Sequence, residues 1–191
     1  MFLSCFKLRR TRGFTLVELL VGMAILGFLM AALSMTTMQI MKVNQKSQNQ
    51  AMAIRQVQSA GQYISKDALQ ANIKIVMTTP NGFTPLKFTE DFNNIDLLNE
   101  KVTIVTYTIS NGNLLRQSSV NGVLSPQITV ATGVLFSTNS SDPNYNSTWF
   151  KATTVGSVTT YELKITVRYG SGNTAATETR YYKIEPRPDN V

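Results

Sequence analysis

Glu18 is a lone carboxylate in awkward chemical company. The stretch around it, RRTRGFTLVELL, places a basic cluster before Gly13, then Phe14, then the acid four residues on. From Leu19 to Met41 there follow 23 residues without a formal charge. As a helix rising about 1.5 Å per residue they span roughly 35 Å, enough to cross a hydrocarbon core of about 30 Å. A carboxylate inside such a helix costs on the order of 2.5–3.5 kcal/mol, so it usually marks a paired or functional group. Other chemistry is thin. The chain has no histidine, and so lacks the commonest general base and metal ligand; a Ser-His-Asp triad is impossible. Asp91, Asp96 and Glu100 are oxygen ligands in principle, but EF-hand spacing is absent and Lys87 and Lys101 adjoin them. They read as a solvated face. No Gly-rich phosphate loop occurs. No metal, no cofactor and no enzymatic activity are expected.

Charge is placed unevenly. The net formal charge is +7, and Lys7, Arg9, Arg10 and Arg12 supply four of the 18 basic residues before any acid appears. Such a flank points to a cytoplasmic membrane face more than to nucleic acid. Only 15% of residues are charged and 43% are hydrophobic, as in a chain with a membrane-facing part and a polar, uncharged remainder. Cys5 has no cysteine partner for an intrachain disulfide. By the positive-inside rule the basic N-terminus stays in the cytoplasm and everything after Lys42 lies outside the inner membrane. A secretory signal shares the basic and apolar regions, yet Ala31-Ala32-Leu33-Ser34 is a poor A-x-A cleavage site. A plain signal anchor leaves Glu18 unexplained.

Basic leader, Gly13, Phe14, Glu18 and the apolar run together resemble the class III signal of type IV prepilins and type II secretion pseudoprepilins. The resemblance covers roughly the first quarter of the chain. It implies that prepilin peptidase cuts between Gly13 and Phe14 and methylates the amine of Phe14. Lys7, Arg9, Arg10 and Arg12 would hold the junction at the cytoplasmic face. Glu18 would meet the N-terminal amine of a neighbouring subunit. Implied partners are the peptidase, other pilin or pseudopilin subunits, an inner-membrane assembly platform with its motor, and membrane lipid. YTISNGNLLRQSS and RQVQSAGQYISKDALQAN are similar to segments of larger minor pilins, the J-type pseudopilins and the W-type and competence-type minor pilins.

The elements needed to position these residues can be read in outline. A helix from about Phe14 to Ile73 is expected, since no proline precedes Pro80. Its second half carries a stripe of Ile54, Val57, Gly61, Ile64, Ala68, Ala71 and Ile75 at intervals of three or four. Thr78–Asn94 and Ser137–Ser147 read as loops. Val102–Ile109, then Asn111-Gly112 into Leu114-Leu115-Arg116, reads as a hairpin, and Asn121-Gly122 as a second turn. Gln127–Ala131, Val134–Phe136 and Trp149–Val155 are strand candidates. Val158–Tyr169 and Thr177–Ile184 form a terminal hairpin. The order is α+β, the pilin layout: a leader over 1–13, a membrane helix over 14–41, its amphipathic continuation over 42–79, and an extracytoplasmic antiparallel β domain over 80–191.

Two further readings stay open. Arg116, Lys164, Arg168, Arg180 and Lys183 are spread through the β region with Tyr161, Tyr169, Tyr181 and Tyr182 nearby, a set that would suit DNA uptake or a surface contact. Alternating solvent-facing strand positions would give the same pattern. A plain anchored extracytoplasmic protein is the other reading, and an uncut N-terminus would mark it.

Overall fold

The computed structural model describes residues 13–71, 74–77, 83, 86–92, 101–155 and 158–185. Helix α1 runs Leu16–Gln70. It is the one helix among the described residues long and apolar enough to cross a membrane. The chain divides into two units, Met1–Asn44 and Gln45–Val191. In the first unit the large apolar side chains of α1, from Leu16 to Val43, are all exposed. Ser34, Thr36 and Thr37 fold their hydroxyls back onto the carbonyls of Met30, Ala32 and Leu33, each at 2.9 Å, so these polar groups are satisfied within the helix.

In the second unit α1 buries Asn49, Ala53, Val57, Ala60, Gly61, Ile64, Asp67 and Ala68, spaced three to four apart. The stripe is built of small residues, so β structure approaches the helix backbone closely. At Gly61 a Cβ would overlap the ring of Tyr182, whose hydroxyl donates to the Val57 carbonyl at 3.2 Å. Three polar side chains of α1 fasten the same face. The Asn49 amide donates to the Thr174 carbonyl at 2.8 Å and the Ser59 hydroxyl to the Val130 carbonyl at 3.0 Å. Gln56 Oε1 accepts the Thr132 N–H at 2.9 Å.

Two antiparallel sheets supply the other layer. The first has β1 (Lys74–Met77), β2 (Leu86–Phe92), β3 (Lys101–Ser110), β4 (Asn113–Val120) and β5 (Val123–Leu124) in that order, with β6 (Ile128–Thr132) also on β4. The second is β7 (Trp149–Val155), β8 (Val158–Tyr169) and β9 (Ala176–Ile184). A bridge at Val134 and Val167 joins them, with the Leu135 N–H on the Thr166 carbonyl at 2.9 Å. Phe88 of the first sheet and Phe150 of the second meet edge to face at 5.8 Å, and Phe88 meets Tyr107 likewise at 5.8 Å. These rings join Ala53, Val57, Ile64, Leu163, Ile165 and Val167 in one core.

This is the expected pilin-like α+β architecture. Both Asn-Gly turns form, with Asn111 and Asn121 at φ of 50° and 49°, the left-handed region that a two-residue hairpin demands. Three local expectations change. The helix stops at Gln70 rather than continuing to 73 or 79, and Lys74–Met77 is a strand on β2. The β-branched Ile75 and Val76 suit that stretch to a strand, with pairing available. The loop expected over 78–94 contains β2, which pairs with both β1 and β3; the rest of that range, apart from Phe83, lies outside the described residues. Val134–Phe136 contributes a single bridge instead of a strand.

At the last turn of α1 the buried Asp67 carboxylate meets both strands of the β3–β4 hairpin. Arg116 grips it with two bonds, Nε–Oδ2 at 2.7 Å and Nη2–Oδ1 at 3.0 Å. The Tyr107 hydroxyl donates to Oδ2 at 2.5 Å. Tyr107 and Arg116 are direct cross-strand partners, so the hairpin register aims both at one acid. Burial first, and the Asp67 charge second, push the Tyr107 phenol far above its ordinary value. The hydrogen bonds that Arg116 donates to Asp67 raise its own pKa, against the opposing effect of its burial.

Asp67→Ala leaves the Arg116 guanidinium and the Tyr107 hydroxyl without their acceptor. We expect a loss of about 3 kcal/mol, at the low end for a broken buried pair because Arg116 keeps some solvent. The double change Asp67→Met with Arg116→Met should lose less than Asp67→Ala alone; denaturant unfolding of the full chain in detergent micelles measures both. Folding also holds a proton on Tyr107 that the unfolded chain releases above pH 10.0, its ordinary pKa. The contribution is therefore complete below about pH 10 and is lost as pH rises further. Tyr107→Phe should flatten that alkaline decline in a stability–pH series.

Candidate functional site

Gly13, Phe14 and Thr15 precede the first helical residue, Leu16. Thr15 occupies the N-cap and Glu18 the third helical position, and each side chain accepts the other residue's backbone N–H. The Thr15 hydroxyl oxygen accepts the Glu18 N–H at 3.3 Å. Glu18 Oε2 accepts the Thr15 N–H at 3.0 Å and the Thr15 hydroxyl at 2.9 Å. This is a capping box: the first-turn donors, which have no helical acceptor, receive one from a side chain. The acid also lies at the positive end of the helix dipole. T-x-x-E before an apolar run is legible in sequence as a helix start, a signal carried by spacing and not by charge.

The arrangement leaves Gly13-Phe14 outside the helix. Phe14 is 87% exposed. Gly13, Phe14, Thr15 and Glu18 line one open recess at this end of α1. Of the residues singled out by sequence, the structure thus brings Gly13, Phe14 and Glu18 together and adds Thr15. Lys7, Arg9, Arg10 and Arg12 lie outside the described residues.

The cation and tyrosine set in the β region does not assemble as one surface. Arg116 is committed to Asp67. Arg180 pairs with Glu178 at 3.4 Å and Lys183 with Glu185 at 2.8 Å. Tyr161, Tyr169 and Tyr182 pack partly buried against the core. Strand alternation separates them from Lys164 and Tyr181, which face outward with Arg168. Asp96 and Glu100 lie outside the described residues. Among the described residues no cluster of three or more His, Cys, Asp or Glu side chains forms a metal site.

Residues 8–34 match the family model described as the prokaryotic N-terminal methylation motif. No curated protein and no solved structure matches the chain. From Leu16 onward the matched segment lies on α1, the one helix among the described residues apolar and long enough to cross a membrane, and the fold to which α1 belongs is α+β of pilin-like layout. The chain therefore carries a prepilin-type methylation motif and is consistent with a member of the prepilin and pseudopilin superfamily in a structural role.

Proposed function

We propose that this protein is a non-enzymatic subunit, in the manner of a larger minor pilin, of a type IV pilus or of a secretion or competence pseudopilus. The observation that carries the reading is the methylation motif set on a capped apolar helix. Prepilin peptidase cuts between Gly13 and Phe14. The bond fits that role because it lies before the helix, beside a residue with no side chain to block close approach. The enzyme then methylates the Phe14 amine, which keeps its positive charge. The helix over 14–41 waits in the inner membrane with its N-terminus in the cytoplasm, and a platform and motor withdraw it into a growing filament.

Glu18 has two tasks in this reading. Both of its bonds to Thr15 fall on Oε2. Oε1, which makes no bond to Thr15, takes the methylated Phe14 amine of a neighbouring subunit. Pairing removes the cost of two isolated charges in an apolar setting, and a misplaced subunit would leave both unpaired.

The mass of the protein from membranes, with and without the peptidase, tests the cut. A start at Phe14 carrying one added methyl is expected with the enzyme, and a start at Met1 without it. A start at Met1 in both strains would leave a plain signal anchor. Glu18→Ala should still be cut but should fail to enter filaments when sheared material is compared with membranes. Thr15→Val removes the cap hydroxyl, and a loss of about 1 kcal/mol of helix-start stability is expected. Faster amide exchange at residues 16–19 in micelles, with the β unit unchanged, is its readout.

A further inference from the structure

The outer face of the β7–β8–β9 sheet carries an aromatic and cationic set outside the methylation motif and the apolar helix. Phe150, Leu163, Ile165, Val167 and Ile184 are buried in the core. Their strand neighbours therefore point the other way. The register arranges these in two rows, Lys151–Glu162–Lys183 and Trp149–Lys164–Tyr181. Trp149 and Tyr181 meet edge to face at 6.4 Å. Lys151 Nζ lies 4.6 Å from the centre of the Trp149 ring, and Lys164 Nζ lies 5.7 Å from that of Tyr181. Tyr181 is 68% exposed. Arg168 continues the positive track along β8, with the exposed Thr177 directly opposite it.

The geometry narrows the ligand. Each ring holds an ammonium group against its face, which fixes the position of a normally mobile lysine. Lys164 is held further by its bond to the Asn146 carbonyl at 2.8 Å. These are cations pre-positioned for anions. The rings stand at 65° to one another, so they offer no parallel platform for successive bases, the usual device of single-strand nucleic-acid binding. Glu162 sits between Lys151 and Lys183 and opposes a chain charged at every unit. A chain with widely spaced charges and many hydroxyls meets neither obstacle.

We propose that this face binds an acidic polysaccharide with sparse carboxylates. Lys151, Lys164 and Arg168 take the carboxylates. Glu162 accepts hydrogen bonds donated by the sugar hydroxyls. The exposed face of Tyr181 packs on the apolar side of a sugar ring. The proposal goes beyond filament assembly and does not depend on cleavage at Gly13.

The test uses the full chain in detergent micelles and measures affinity for hyaluronan oligosaccharides, with neutral dextran and oligothymidylate as comparisons. Binding to hyaluronan that weakens with salt is expected. The pair Lys151→Gln with Lys164→Gln, and separately Tyr181→Ala, should each weaken it by about tenfold or more. Arg55→Gln with Lys66→Gln, which removes two exposed cations from α1, should not. Unfolding midpoints confirm that the variants fold; should Tyr181→Ala not fold, the lysine pair alone decides. No binding to hyaluronan, equal binding to dextran, tighter binding to oligothymidylate, or an unchanged affinity in the lysine pair would each overturn the proposal. Processing to Phe14 in these variants reports separately on the filament reading.

Discussion

A carboxylate buried in the last turn of a helix is costly twice over. It loses its hydration, and it faces the negative end of the helix dipole. Asp67 is tolerable only because Arg116 and Tyr107 arrive together, and they do so only when β3 and β4 pair in their observed register. Slipping the hairpin by one residue would turn both side chains to the opposite face. One acid thus ties the end of α1 to the register of its central hairpin. Apolar burial drives the packing, but it is nondirectional; the charge triad selects one alignment among those that bury similar area.

The two units ask different things of one helix. Between residues 16 and 43 the large apolar side chains are exposed among the described residues, and the hydroxyls of Ser34, Thr36 and Thr37 are turned back on the backbone. That suits an apolar surrounding, where an unsatisfied polar group is expensive. From Asn49 onward the buried positions are mainly small, and polar side chains reach strand backbone directly. Gly61 shows how close this packing is, since Tyr182 occupies the space a side chain would need. A helix of large apolar residues there would hold the strands too far away for Gln56 and Ser59 to reach them.

Much of this was legible before any coordinates. The turn pairs Asn111-Gly112 and Asn121-Gly122 announce their hairpins because few residues adopt a positive φ cheaply. β7 and β8 fall at the expected residues because their composition is β-branched and aromatic. β2 was hidden because prolines and Asn81-Gly82 nearby read as loop, while the pairing that holds it, with β1 on one side and β3 on the other, exists only once the sheet forms. The partner of Asp67 was illegible for a related reason. Arg116 looks like a surface cation until the hairpin is laid on the helix, and only tertiary contact reveals the pair. Gln56 and Ser59 likewise appear solvent-facing in a helical stripe that counts apolar residues alone.

The capping box reframes the lone acid at the other end. A carboxylate in an apolar run invites a search for a distant partner, yet its first partner is three residues away. Local capping lowers the cost of keeping Glu18 in each isolated subunit, so the acid need not wait unsatisfied for assembly. In the proposed assembly it would also lower the gain when a neighbouring Phe14 amine arrives, because part of the acid's hydrogen-bonding capacity is already met. Fidelity would then rest on the difference between a paired and an unpaired amine, since the cap on Oε2 is present in both states. Thr15 would set the baseline from which Glu18 discriminates.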